Sequence, residues 1–486
     1  MPTRRQLLQA AAPVGAWLAL GPSTYARPRV DEELVSAVIR GSSAGVFAAL
    51  PERIRAGLRP ADLLAATCVA GAREVRPRPH GILHCVMMVE SSFRLADGAT
   101  PREAWLAALW NLDDFKRAQE RDDGYAPLAP AGAVDAPRAK PKLDELTAAL
   151  TAHDAERADA ALVALAPEVD PRACFEALWP FAARCYAFLG HKAIYAAQLE
   201  RTLARIGWQH ARDPLRSLVA SSLVNRDEDD HDASVELARR IPRRWLAGRR
   251  DPAATPGLLA GLRTASPAEA RALALAALED GLAPEPLWDA LRLAGAEVFL
   301  RRSGRRASDG RLALLPVHAV TVVEALGYIG RRAASEDTRR LVLLQACGWL
   351  ARLRADLVGM VDVADYRDAT GAGGPTLAGL GGSAEPPATL DEALAQGSPD
   401  AARSFLERDP AHLGAWTAAL RSNLLRTAQE HHQHKYAAAL LEETTRCAAP
   451  WRPRLLAASA DYLLHPGDGA TEVHRRSLDV LDRAGL

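Results

Sequence analysis

Lysine is almost missing from this chain: five residues of 486, Lys116, Lys140, Lys142, Lys192 and Lys435, so that arginine carries nearly all the positive charge. The sixty basic residues are balanced by sixty acidic ones, and a formal net charge of zero argues against a broad basic surface for nucleic acid. Aromatic residues make up only 5% of the chain. No convincing run alternates apolar with polar residues, and this weighs against a sheet-built fold. The six cysteines include no CxxC pair and no disulfide framework is expected; most read as small buried apolar residues. No apolar run is long enough for a permanent membrane anchor. What remains is 49% hydrophobic residues dominated by Ala and Leu, a composition that favours helix and is ample for a core.

Against so little lysine, two His-Lys pairs stand out. GHKAIYAAQLE runs from Gly190 to Glu200, and HKYAAALLEE from His434 to Glu443; each carries His-Lys at its start, after Gly190 in the first, and closes on Glu. The sequence upstream repeats as well. Pro171 stands 20 residues before His191, and Pro60 stands 20 before His80. RPADLLAATCVAGA, DPRACFEALWPFAA, APEPLWDALRLAGA and DPAHLGAWTAALRS each place proline in the first turn of an apolar helical stripe, where its missing N–H costs nothing. The later gaps, Pro284 to His318 and Pro410 to His434, are longer, and loop insertions such as Arg301 to Arg311 account for the excess. The expected fold is therefore all-α, a helical repeat array or toroid of about four divergent four-helix units.

The expected organisation is a signal segment at 1–26, helical unit one at 27–126, a Pro/Ala-rich linker at 127–142, unit two at 143–250, unit three at 251–370, a Gly-rich loop at 371–389 and unit four at 390–486. TRRQLLQ followed by AAAPVGAWLAL and PSTYA has the layout of an export signal, a charged start, a short apolar stretch and a small-residue cut site after Ala26. The Arg4-Arg5 pair resembles a twin-arginine signal, which implies the twin-arginine export machinery as a partner and a periplasmic or secreted location.

One histidine per unit, His80, His191, His318 and His434, would converge if each opened an equivalent helix and the units curled about one axis. His84 lies one helical turn from His80, and neutral imidazoles at i and i+4 can chelate one ion. His210 is a second candidate in unit two. The candidate metal ligands are thus His80, His84, His191, His210, His318 and His434, for a transition metal, with iron first and copper or zinc as alternatives. An open multi-imidazole site serves oxygen activation or Lewis-acid hydrolysis on a small-molecule substrate. Histidines retained only for packing, or acting as metal-free acids and bases, are the competing readings.

HGILHCVMMVESSFRLADGATPREAWLAA resembles the histidine-bearing helix, Gly-Ala-Thr-Pro turn and following helix of the questin oxidase-like proteins. GHKAIYAAQLERTL and PVHAVTVVEALGYI carry a similar rhythm. The resemblance implies an oxygenase ring opening of the Baeyer–Villiger type on an aromatic polyketide. The expectation from sequence is an exported, histidine-rich, metal-binding oxidoreductase. The alternatives are a non-enzymatic helical scaffold for a peptide, glycan or lipid, and a zinc-dependent hydrolase.

Overall fold

The structure, a computed structural model, describes residues 27–75, 83–121, 128–134, 143–166, 169–184, 186–224, 231–300, 311–360, 386–409, 411–464 and 469–486. The proposed signal, His80, the insertion at 301–310 and most of the linker and the Gly-rich loop lie outside them. The described residues are all-α. Their only extended pairing is an isolated bridge between Arg249 and Leu282. Among them no helix is long and apolar enough to cross a membrane.

Contacts divide the chain into two compact units. Within the described residues, the first holds 27–224 with 425–434 and 470–486, and the second holds 231–424 and 435–469 apart from the gaps given above. The helix His431–Arg446 is shared, its first four residues belonging to the first unit.

Proline sets several helix starts where the sequence places them. Pro60–Glu74, Pro171–Ala183 and Pro284–Leu300 begin on the residue expected. The fourth counterpart is the helix His412–Thr427, which starts two residues beyond Pro410. In the first unit, Pro60–Glu74 buries the unbroken run Asp62 to Ala72 and packs on His84–Ala96 and Pro101–Arg121. Gly71 makes this approach possible, since a Cβ there would stand 2.7 Å from Val86 Cγ2. The turn between the latter two helices has Gly98 at φ 65°. Beyond it a reciprocal cap forms, with Thr100 N–H donating to Glu103 Oε2 at 3.0 Å and Glu103 N–H to Thr100 Oγ1 at 3.2 Å.

The helix His191–Ile206 packs on His84–Ala96. Gly190 at φ 73° opens it and Gly207 at φ 113° closes it. Far from their histidine ends the two helices are pinned together by Arg205. Its guanidinium reaches Glu90 at 2.9 Å and Asp97 at 2.8 Å. The C-terminal helix Glu472–Ala484 packs on Pro101–Arg121 and ties down the segment 425–434. Thr471 N–H donates to the Arg426 carbonyl at 3.0 Å, and His474 Nδ1 lies 3.1 Å from the Leu425 carbonyl.

In the second unit, Pro284–Leu300, Arg311–Arg332 and Glu336–Met360 pack on one another. Gly295 allows the first crossing, because a Cβ there would meet the Ala319 carbonyl at 2.7 Å. A buried polar network runs through this core. Arg292 pairs with Asp289 at 2.8 Å and with Glu443, while Arg331 reaches Glu442 at 3.5 Å.

Candidate metal centre

Three helix starts deliver imidazoles to one place in the first unit. His84 is the first residue of His84–Ala96, His191 the first of His191–Ile206, and His432 the second of His431–Arg446. Each offers a ring nitrogen, and the three atoms lie within 4.8 Å of one another. The His84 ring centroid is 4.7 Å from that of His191 and 4.5 Å from that of His432. Metal–nitrogen bonds of about 2.0–2.1 Å hold such atoms roughly 3–4 Å apart. The 4.8 Å limit is of the same order as that spacing.

Each helix start is held from outside the group. Asn111, on Pro101–Arg121, donates its side-chain amide to the Cys85 carbonyl at 2.9 Å and so fixes the turn bearing His84. Tyr195, one turn after His191, donates to Ser217 Oγ at 2.9 Å. Burial pushes that phenol far above its ordinary pKa. Trp110 Nε1 donates to the Ala428 carbonyl at 3.3 Å, fixing the approach to His432.

Two carboxylates complete the group. His432 Nδ1 lies 2.6 Å from Glu430 Oε2, and His431 Nδ1 lies 3.1 Å from Asp114 Oδ1. A carboxylate only accepts, so in each pair Nδ1 is the donor and Nε2 is the ring nitrogen left for another partner. Glu430 also accepts from the His432 backbone N–H at 3.0 Å, so one side chain caps the helix and orients a ligand. Glu430, His431 and His432 form a second group of donor atoms within 4.8 Å. The His431 ring stacks on His84 with centroids 4.0 Å apart and planes at 15°. Parallel rings at that separation direct their lone pairs side by side, which places His431 against the group more naturally than within a shared coordination sphere.

Of the candidates taken from sequence, His84 and His191 come together. His434 is in the same unit, fully buried against Trp110 with ring centroids 4.2 Å apart, and lies outside both donor groups. Burial lowers its pKa to about 4. His210 sits in the turn Trp208–His210, its Nε2 3.1 Å from Gln209 Nε2; burial lowers its pKa, with Glu32 acting in the opposite sense. It belongs to neither donor group. His318 is buried in the second unit, at the eighth position of Arg311–Arg332 rather than at a helix start, because the apolar LALLPV segment continues the helix upstream of it. His80 lies outside the described residues.

The repeat alignment singles out His434, whereas the group of three imidazoles within 4.8 Å contains His432. The His-Lys match carries His191 onto His434, but successive residues of a helix point about 100° apart, so a two-residue offset selects a different side chain. The cluster HHQH was itself the available signal. Asp114 and Glu430 have no counterpart signal, since nothing local marks a carboxylate that meets a distant histidine.

No protein-family model, no curated protein and no solved structure matches the chain.

Proposed function

We propose that the chain is an exported, metal-dependent oxidoreductase in which His84, His191 and His432 hold the ion. The observation that carries this reading is the convergence of three imidazole donors, from three helix starts, to within 4.8 Å. Glu430 and Asp114 stand behind His432 and His431. A nitrogen-rich site with carboxylates at hand suits iron, with copper and zinc as the other imidazole-loving ions. Three protein ligands leave coordination positions open, and a bound iron or copper would supply oxygen activation there. The chain's own residues would hold the ion and orient the His432 ring through Glu430.

The questin oxidase-like resemblance of the segments around His84, His191 and His318 supports an oxygenase, with an aromatic polyketide as the substrate class. The twin-arginine layout of residues 3–26 supports export of a chain already folded around its metal.

The test is elemental mass spectrometry with an absorption spectrum on protein purified after export from a native-like host. About one equivalent of iron or copper, lost in His84→Ala, His191→Ala and His432→Ala while the fold persists, is the expected result. Stoichiometric zinc would move the reaction to hydrolysis. A folded, exported sample that neither carries metal nor binds added metal would overturn the reading.

A further inference from the structure

The first unit contains two triads of donor atoms, His84 with His191 and His432, and Glu430 with His431 and His432, each drawn from within 4.8 Å. His432 belongs to both. One nitrogen cannot serve two ions in this way, but an imidazole carries two, on different edges of the ring. Glu430 tells them apart in His432, because its Oε2 lies 2.6 Å from Nδ1. The Nδ1 edge therefore goes with Glu430, and Nε2 is the nitrogen left for His84 and His191.

The triads differ in donor type and in access. The inner one is made of imidazoles only, and His84 is buried in it. The outer one includes a carboxylate, and the side chains of Glu430 and His431 are 34% and 20% exposed. An ion can reach it from solvent without opening the core. His431 is turned by Asp114, which meets Nδ1 at 3.1 Å and leaves the Nε2 edge for a ligand bond. The His431 and His84 rings lie parallel, 4.0 Å apart, so they stand on either side of the boundary between the triads instead of meeting at one ion. Charge points the same way. Asp114 is buried, its Oδ2 has no hydrogen-bond partner, and among the described residues its one ion-pair partner is His431. A cation beside His431 would offset that carboxylate.

We propose that Glu430, His431 and His432 hold a second metal ion, with the His432 ring bridging it through Nδ1 to the first ion on Nε2. For the first ion this rests on the metal reading above. The proton on Nδ1 leaves to solvent as the second ion binds. One carboxylate and two imidazoles suit iron, copper or zinc, and an ion open to solvent would polarise a substrate oxygen beside the first.

The test titrates the metal-free full chain with copper(II), counting bound copper by elemental mass spectrometry after dialysis and recording electron paramagnetic resonance at each addition. The wild type binds two equivalents. The first gives the resonance of an isolated copper(II) ion. The second lowers the integrated intensity instead of doubling it, because two copper ions joined through one imidazole couple their spins. His431→Phe keeps a ring against His84 but offers no nitrogen; it weakens the second equivalent at least about tenfold and leaves the first within about threefold. A wild type that stops at one equivalent would overturn the inference and leave the metal reading intact. So would a second equivalent whose resonance simply adds to the first. Both are measured on the wild type and stand even if the variant fails to fold. A second equivalent that His431→Phe binds as tightly as the wild type does would overturn the inference as well. A wild type that takes up no copper would remove both readings.

Discussion

In the second unit Arg292 meets Asp289 and Glu443 with all three side chains buried, whereas in the first unit Asp114 and Glu430 meet histidines. The difference lies in where the positive charge comes from. A guanidinium is charged at any working pH, so the second network is neutralised by its own side chains. An imidazole carries no fixed charge, so the carboxylates of the first group are not neutralised by a permanent cation of their own, and that group could hold a metal ion. Buried polar groups of similar size thus serve different ends. One completes a core, and the other could hold a metal ion.

The largest effect expected from this contrast is on stability. Arg292→Met leaves Glu443 buried without its main counter-charge, and the loss should be about 3–5 kcal/mol in urea unfolding. Adding Glu443→Gln should recover more than half of it, because the penalty comes from the stranded charge. Metal uptake by the folded variants should be unchanged. Recovery that fails to occur would mean that Arg292 acts by packing alone.

Acid should separate the two regions by sign. The folded-state pKa of His434 is about 4, below its ordinary 6.5, because burial disfavours the imidazolium. Its contribution to stability is present above pH 6.5, declines as the unfolded chain takes up the proton, and is lost as pH falls through about 4. In metal-free protein this amounts to about 3 kcal/mol. Glu443 runs the other way. Burial is the larger cause and raises its pKa, and Arg292 opposes the rise. Stability linked to this group therefore increases as pH falls through its folded-state value. Comparing wild type with His434→Met in thermal melts from pH 7 to pH 4 isolates the first term, and a gap that does not change with pH would refute it.

What could be read from the sequence follows from how local each signal is. The all-α class came from Ala and Leu content and from prolines in first turns, both read within a few residues, and Pro60, Pro171 and Pro284 do open helices. His191 at a helix start was legible for the same reason, whereas His84, expected one turn into a helix opened by His80, is itself the first residue of its helix. His432 was hidden behind His434 because a lysine match fixed the alignment two residues away. Asp114 was hidden because its partner, His431, is 317 positions distant. The segment carrying His431 to His434 joins the first unit through bonds from Trp110, Thr471 and His474, and none of them leaves a trace in local periodicity.

A smaller effect tests the role given to Glu430. Because its carboxylate holds His432 in one tautomer, Glu430→Ala should weaken metal binding about 10–100-fold in competition with a chelator. Glu430→Gln, which still offers an acceptor to Nδ1, should weaken it less. Equal loss in both variants would make Glu430 a ligand, and no loss in either would make it a surface cap.

The smallest effect marks the limit of the contrast. Tyr195 and Ser217 form a buried hydrogen bond between neutral groups one turn from His191, so no charge is involved on either side. Tyr195→Phe leaves the ring in place and removes only the donor. A net cost of about 1 kcal/mol is expected, since the Ser217 hydroxyl loses a partner that water cannot easily replace. Metal affinity should not move, because the helix bearing His191 is also held by Arg205 at Glu90 and Asp97. If Tyr195→Phe lowered metal affinity tenfold while costing so little stability, the position of His191 would depend on this one bond. The ring would then be held less firmly than the packing of its helix implies.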